Sequence, residues 1–220
     1  MKHSRTETGK ALLWIAAGLA IDLASHLVWF WTFLYRLFPS MPNGVGLLLS
    51  FLAYALSLVG CILAYRRSGA GRYAIGAVCM ALTLLIVFVN HFVLTALVDP
   101  SNAISVSNAI GVLSALCFCA GLWYTASATA AVLRVSQNEG LAKRAVIVQG
   151  LSAAYVLLVA LDYIFIAANL ARGLLIQLCF WLNPLLALAA LIYFLAACRH
   201  LCSITEIDPA KIEEMRNRLQ

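Results

Sequence analysis

Six long apolar stretches divide the chain, and they leave little room for any fold other than a bundle of membrane-spanning helices. They cover residues 11–35, 44–65, 73–98, 104–134, 145–170 and 174–198. Each is long enough, because a helix needs about 20 apolar residues to cross roughly 30 Å of hydrocarbon. With 64% hydrophobic and 11% charged residues, the chain also lacks the polar surface of a soluble domain. We predict an all-α integral membrane protein with six transmembrane helices.

The positive charges predict its orientation. One alternate set of connections, together with both ends, holds thirteen of the fifteen basic residues: Lys2, Arg5, Lys10, Arg66, Arg67, Arg72, Arg134, Lys143, Arg144, Arg199, Lys211, Arg216 and Arg218. Only Arg36 and Arg172 lie on the other set. Because cytoplasmic connections carry the excess of Lys and Arg, we predict that both termini are cytoplasmic and that the chain lies in the plasma (inner) membrane. This topology accounts for the net charge of +6, so the lipid bilayer is the expected surrounding and no nucleic-acid partner is predicted.

The chain divides into a transmembrane bundle over residues 1–202 and a short tail over 203–220. In the tail, Asp208 is placed to cap a helix that begins at Pro209. The helix would be amphipathic, since its apolar residues fall on one stripe: Ile212, Met215 and Leu219. We expect a cytoplasmic helix that either lies on the surface or docks a partner subunit.

Polar residues within the apolar stretches are the best indicators of function, because a charge at mid-bilayer costs about 2.5–3.5 kcal/mol. Counting 1.5 Å per residue from the cytoplasmic edge places them between the midplane and the outer surface. We predict that they form a polar and aromatic pocket open to the extracytoplasmic side. The candidate ligand-binding residues are Asp22, His26, Trp29, Asn90, His91, Tyr155, Asp162, Gln177, Trp181 and Asn183. The Asn183-Pro184 pair is also expected to break the last helix and turn its carbonyls toward this site.

Small residues form two ladders at four-residue spacing. They are Ala16, Ala20 and Ala24 in the first stretch, and Gly121, Thr125 and Thr129 in the fourth. Such ladders let helices approach closely, either inside the bundle or against a second membrane subunit. In its size, its six-helix topology and its alanine ladder, the chain resembles the substrate-binding subunits of energy-coupling-factor vitamin transporters. That resemblance implies small-molecule binding. The chain contains no P-loop, so any ATP-driven motion would need a partner.

Four functions are compatible with these patterns. The first is a transport or solute-binding subunit, and its main alternative is a non-catalytic accessory subunit of a larger membrane complex. In the accessory subunit, the polar residues would only form interhelical hydrogen bonds. The third is a haem b anchor with His26 and His91 as axial ligands. The fourth is an intramembrane metal-dependent enzyme, with Asp22, His26, His91 and Asp162 as metal ligands. Neither an HExxH nor a GxSxG motif is present, so the sequence does not favour an enzyme.

Overall fold

A computed structural model describes residues 2–35, 43–94, 100–168, 170 and 173–203 of the chain. Every regular element in these residues is a helix. The α-helices are α1 (Lys2–Tyr35), α2 (Asn43–Ser68), α3 (Gly71–Phe88), α4 (Pro100–Val135), α5 (Glu139–Lys143), α6 (Ala145–Ala167) and α7 (Gly173–Ser203). A π-helical turn, Val89–Leu94, continues α3. The predicted tail helix lies outside the described residues.

Within the described residues, six segments are long and apolar enough to cross a membrane, as the sequence predicted. They are Arg5–His26, Gly46–Ser68, Gly71–Phe92, Ala109–Val135, Glu139–Ile166 and Gly173–Ser203. The fifth segment joins the short α5 to α6. This is the architecture of a multi-pass integral membrane protein.

The spanning helices form a closed ring in chain order. Each packs against the next, from α1 through α2, α3, α4 and α6 to α7, and α7 packs against α1. In the ring, Gly9 at the start of α1 lies beside Cys202 at the end of α7. We call this end of the bundle the terminal face, and the end where α2 and α7 begin the opposite face. The ring encloses a central space whose two halves are filled differently.

The half of the bundle at the terminal face is rich in large buried side chains. It contains most of the large side chains that are fully buried, including Leu12, Ile15, Tyr73, Leu122, Leu133, Val148, Phe194 and Leu201. Hydroxyl groups join the helices between them: Tyr73 hydrogen-bonds Thr129 at 2.8 Å, and Tyr193 donates to the carbonyl of Ala126 at 3.3 Å. A buried hydroxyl group needs such a partner, and these bonds supply one for Tyr73 and Tyr193. We call this half of the bundle, at the terminal face, the terminal half.

Helix α1 begins at Lys2, earlier than the predicted start at residue 11. The first turns of α1 are polar, and they extend the helix at the terminal face. There Glu7 pairs with Lys10 at 3.0 Å and lies 3.9 Å from Arg67 of α2. Packing against α7 at Gly9 also holds this end in place. The predicted start was too late because only apolar residues were counted.

The prediction that Asn183-Pro184 breaks the last helix is wrong. Helix α7 runs without interruption over Gly173–Ser203, with Pro184 inside it. Proline removes one backbone hydrogen bond, but a spanning helix tolerates this loss where neighbouring helices support it. Here α7 is supported by both α1 and α6.

Only one of the two small-residue ladders packs entirely within the bundle. On α4, Gly121, Thr125 and Thr129 are buried against α3, where Gly76 and Met80 face them. On α1, Ala16 is buried, whereas the ladder's other two members, Ala20 and Ala24, are exposed. Helix α1 instead packs on α2 through Gly18, where a Cβ would collide with the carbonyl of Ala53.

Candidate functional site

Three adjoining cavities occupy the half of the bundle at the opposite face, which we call the opposite half. The largest, of about 710 Å³, lies between α1, α2, α6 and α7. A second, of about 180 Å³, is lined by α2, α3 and its π-turn, α4, α6 and α7. The third, of about 240 Å³, lies between α4 and α6. Tyr155 lines all three, so we treat them as one chamber. All six spanning segments contribute to its walls.

A polar pair joins α1 to α7 at the chamber wall. The Asn183 Nδ2–H donates to Nε2 of His26 at 2.5 Å. The bond links a side-chain amide to an imidazole nitrogen across the two helices. Both residues line the largest cavity, and Asn183 lines the second cavity as well. The bond therefore fixes two chamber side chains that are far apart in the sequence.

Asp22 lies one turn before His26 on α1 and is 3% exposed. Its carboxyl group is within electrostatic range of the His26 imidazole and of the Tyr54 and Tyr155 phenols. Asp22 does not line any of the three cavities itself, but these three neighbours do. A buried carboxyl group is thus placed directly behind the chamber wall.

Aromatic side chains form much of the remaining wall. Trp181 and Phe180 of α7 meet edge to face, with ring centroids 5.7 Å apart, and both line the largest cavity. In the second cavity, Tyr54 of α2 packs against Phe118 of α4 at 5.4 Å. Tyr54 was not among the predicted site residues. Its position in the middle of an aliphatic stretch, away from both interfaces, is a sequence signal that would have identified it.

The π-turn after α3 brings one of its two polar residues to the chamber. Asn90 lines the second cavity, whereas His91 lines none of the three and contacts Phe92 edge to face at 5.4 Å. A π-turn inserts an extra residue into a helix and shifts the side chains that follow, and such turns are frequent at functional sites. Counting along a regular α-helix does not include this shift.

The structure brings together most of the predicted site. The predicted site residues that line the chamber are His26, Asn90, Tyr155, Asp162, Trp181 and Asn183. Asp22 lies just behind its wall. Gln177 is exposed and, like His91, lines none of the three cavities. The side chain of Trp29 lies outside the described residues.

The predicted metal ligands do not form one group. Among the described residues, no three His, Cys, Asp or Glu side chains are close enough together to hold a metal ion. His26 lines the chamber and His91 does not, so the geometry lends no support to a shared haem site either. Both alternatives stay predictions from the sequence.

Comparison of the chain with protein-family models, with curated proteins and with solved structures finds no match in any of the three. The function of the chain is therefore inferred from the geometry of the chamber.

Proposed function

We propose that the protein is a solute-binding membrane subunit that takes a small molecule into the chamber from the opposite face. The observation that supports this most directly is the asymmetry of the bundle. All six spanning segments line cavities in the opposite half, while the terminal half is filled by large buried side chains. Such a bundle has room for a ligand on one side and a barrier on the other.

The size and the lining of the chamber fit a small-molecule site. Ligand pockets typically enclose about 300–1,000 Å³ and combine an apolar lining with a few convergent polar groups. The largest cavity, of about 710 Å³, falls within that range. Its polar groups are few and come from separate helices, for example Ser50, Asp162 and Asn183. Polar groups that served only to join neighbouring helices by hydrogen bonds would not need a cavity between them.

The positive charges favour access from outside the cell. Basic residues cluster at the terminal face, including Lys10, Arg67, Arg134 and Arg144 of the described residues. By the positive-inside rule this face is cytoplasmic, and the opposite face is then extracytoplasmic. We further propose the plasma (inner) membrane as the location. Because the chain has no nucleotide-binding motif, movement of the ligand across the membrane would require a partner subunit.

The native thiol of Cys179 provides a test, because it lines the largest cavity. We would compare two full-length variants, each keeping one cysteine: Cys179, or Cys61, which is buried in the terminal half. A membrane-impermeant methanethiosulfonate reagent would be added to intact cells. We expect Cys179 to react about tenfold faster or more, because the reactivity of a thiol depends on its exposure.

Failure of Cys179 to react from outside would contradict the proposal. It would mean that the chamber is closed to the extracytoplasmic side, and it would favour the accessory subunit. Reaction of Cys61 at the same rate as Cys179 would also contradict the proposal, because the terminal half would then be open.

A further inference from the structure

Resting on that proposed function, we infer that the ligand of the chamber is an amphipathic organic cation, with one amine or quaternary ammonium group on an apolar body. Three features of the chamber lead to this class: its charge balance, its aromatic walls and its aliphatic surface.

The charge balance of the chamber is acidic. Among the described residues that line the three cavities, Asp162 and His26 are the acidic and basic side chains, and neither Lys nor Arg is present. The Asp22 carboxyl group lies just behind the wall. An anionic ligand would therefore meet like charge, and a cation would meet opposite charge.

This balance does not require Asp162 to be unpartnered, and Asp162 does make further interactions. The sequence places three aspartates in the opposite half or its connections: Asp22, Asp99 and Asp162. Only two arginines, Arg36 and Arg172, lie in those connections. Acidic side chains therefore outnumber arginines on this side of the bundle.

The aromatic walls suit a cation as well. The Trp181 and Phe180 rings line the largest cavity together with Tyr155, and Tyr54 lines the adjoining one. A cation within about 6 Å of an aromatic face is attracted by the ring, most strongly by tryptophan and especially where water is excluded. Amines and quaternary ammonium groups are the ligands that such walls bind best.

The rest of the ligand must be apolar. Leucines line the largest cavity alongside its aromatic residues: Leu23, Leu185 and Leu188. A sugar or another ligand rich in hydroxyl groups would bury polar groups without hydrogen-bond partners against this surface, which is unfavourable. A cationic head with a hydrocarbon body matches both parts of the chamber.

The test again uses the variant whose sole cysteine is Cys179, now purified in an uncharged detergent. Its rate of reaction is measured with a cationic (trimethylammonium) and with an anionic (sulfonate) methanethiosulfonate. Each rate is divided by the rate at which the same reagent reacts with 2-mercaptoethanol, and the ratio of the two normalised rates, cation to anion, is compared. We expect the cation to be favoured by about 5-fold or more, since opposite charge concentrates it near the thiol. Asp22→Asn and Asp162→Asn should each lower that ratio. Glu139→Gln, at an exposed residue of the terminal face, should leave it unchanged.

The outcomes separate the two proposals. A normalised ratio at or below one, or a ratio that neither aspartate variant lowers, overturns the cation and leaves the chamber standing. Absence of reaction with both reagents overturns the binding function itself.

A second measurement needs no aspartate variant and so does not depend on their folding. Tetrapropylammonium should slow the labelling of Cys179 by the neutral reagent N-ethylmaleimide, and propanesulfonate at the same concentration should not. Equal effects of the two ions would overturn the inference.

Discussion

At the scale of single residues, the hydrogen bond between Asn183 and His26 is the most specific contact of the opposite half. It joins α1 to α7 and orients two side chains that line the chamber. Interhelical hydrogen bonds of this kind contribute only modestly to stability in membrane proteins, about 0.6 kcal/mol on average and up to about 2. The bond is thus suited to positioning side chains rather than to holding the bundle together.

A double-mutant cycle tests this contact. We expect His26→Leu and Asn183→Leu to be coupled by about 0.5–2 kcal/mol in the free energy of unfolding, measured by reversible denaturation in detergent. The cycle of Tyr73→Phe with Thr129→Val provides a reference, because that pair is buried in the terminal half. Additive effects of His26→Leu and Asn183→Leu, within about 0.3 kcal/mol, would show that the two side chains do not interact.

The sequence predicted the depth of the site residues better than their direction. Counting along each helix placed Asp22, His26 and Asn183 at one level of the bilayer, and the structure brings His26 and Asn183 into contact. The same counting placed Gln177 in the pocket, but its side chain is exposed on α7. The direction of a side chain depends on how α7 packs between α1 and α6. Charge and periodicity within one helix carry no information on that packing.

At the scale of helices, glycines set the closest approaches. Gly18 of α1 faces α2 so closely that a Cβ would collide with the carbonyl of Ala53 and with Ser57. On the other side of the same interface, a Cβ on Gly60 would meet Ile15. By contrast, a Cβ on Gly150 of α6 would meet nothing within 4 Å. Gly18 therefore lies against a neighbouring backbone, whereas Gly150 faces open space.

Alanine at these two positions should have opposite effects. Gly18→Ala should destabilise the bundle by about 1–3 kcal/mol, because the backbone of α2 would have to move. Gly150→Ala should be neutral or stabilise it by up to about 1 kcal/mol, the difference in helix propensity between glycine and alanine. Thermal unfolding in detergent measures both. Equal destabilisation by the two substitutions would contradict the packing of α1 on α2.

Helix ends and continuity were harder to predict than helix existence. Each apolar stretch became a helix, because its length and composition leave the backbone no other way to satisfy its hydrogen bonds in a membrane. The start of α1 at Lys2 and the continuity of α7 through Pro184 depend on contacts with other helices. Local rules for polar residues and for proline do not include those contacts.

At the scale of the whole molecule, the ring of helices explains how scattered polar residues share one space. The charge pattern predicts on which side of the membrane each helix begins, but it does not predict which helices are neighbours. Only the closure of α7 on α1 places α2 and α6 on the walls of the same cavity. The chamber is therefore a property of the ring order, and the sequence alone did not reveal it.

The depth to which water enters along α6 tests the open chamber most directly. In a background without native cysteines, single cysteines would replace Asp162, Tyr155 and Ser152, which together span about 15 Å of helix. An impermeant thiol reagent would be added to intact cells. Asp162 and Tyr155 line the chamber, whereas Ser152 is buried beneath it. Leu157→Cys, on the outward surface of the bundle, is the control that lies in lipid.

We expect reaction at positions 162 and 155, and none at 152 or 157. Reaction at 152 as fast as at 162 would contradict the closed terminal half, and absence of reaction at both 162 and 155 would contradict the open chamber.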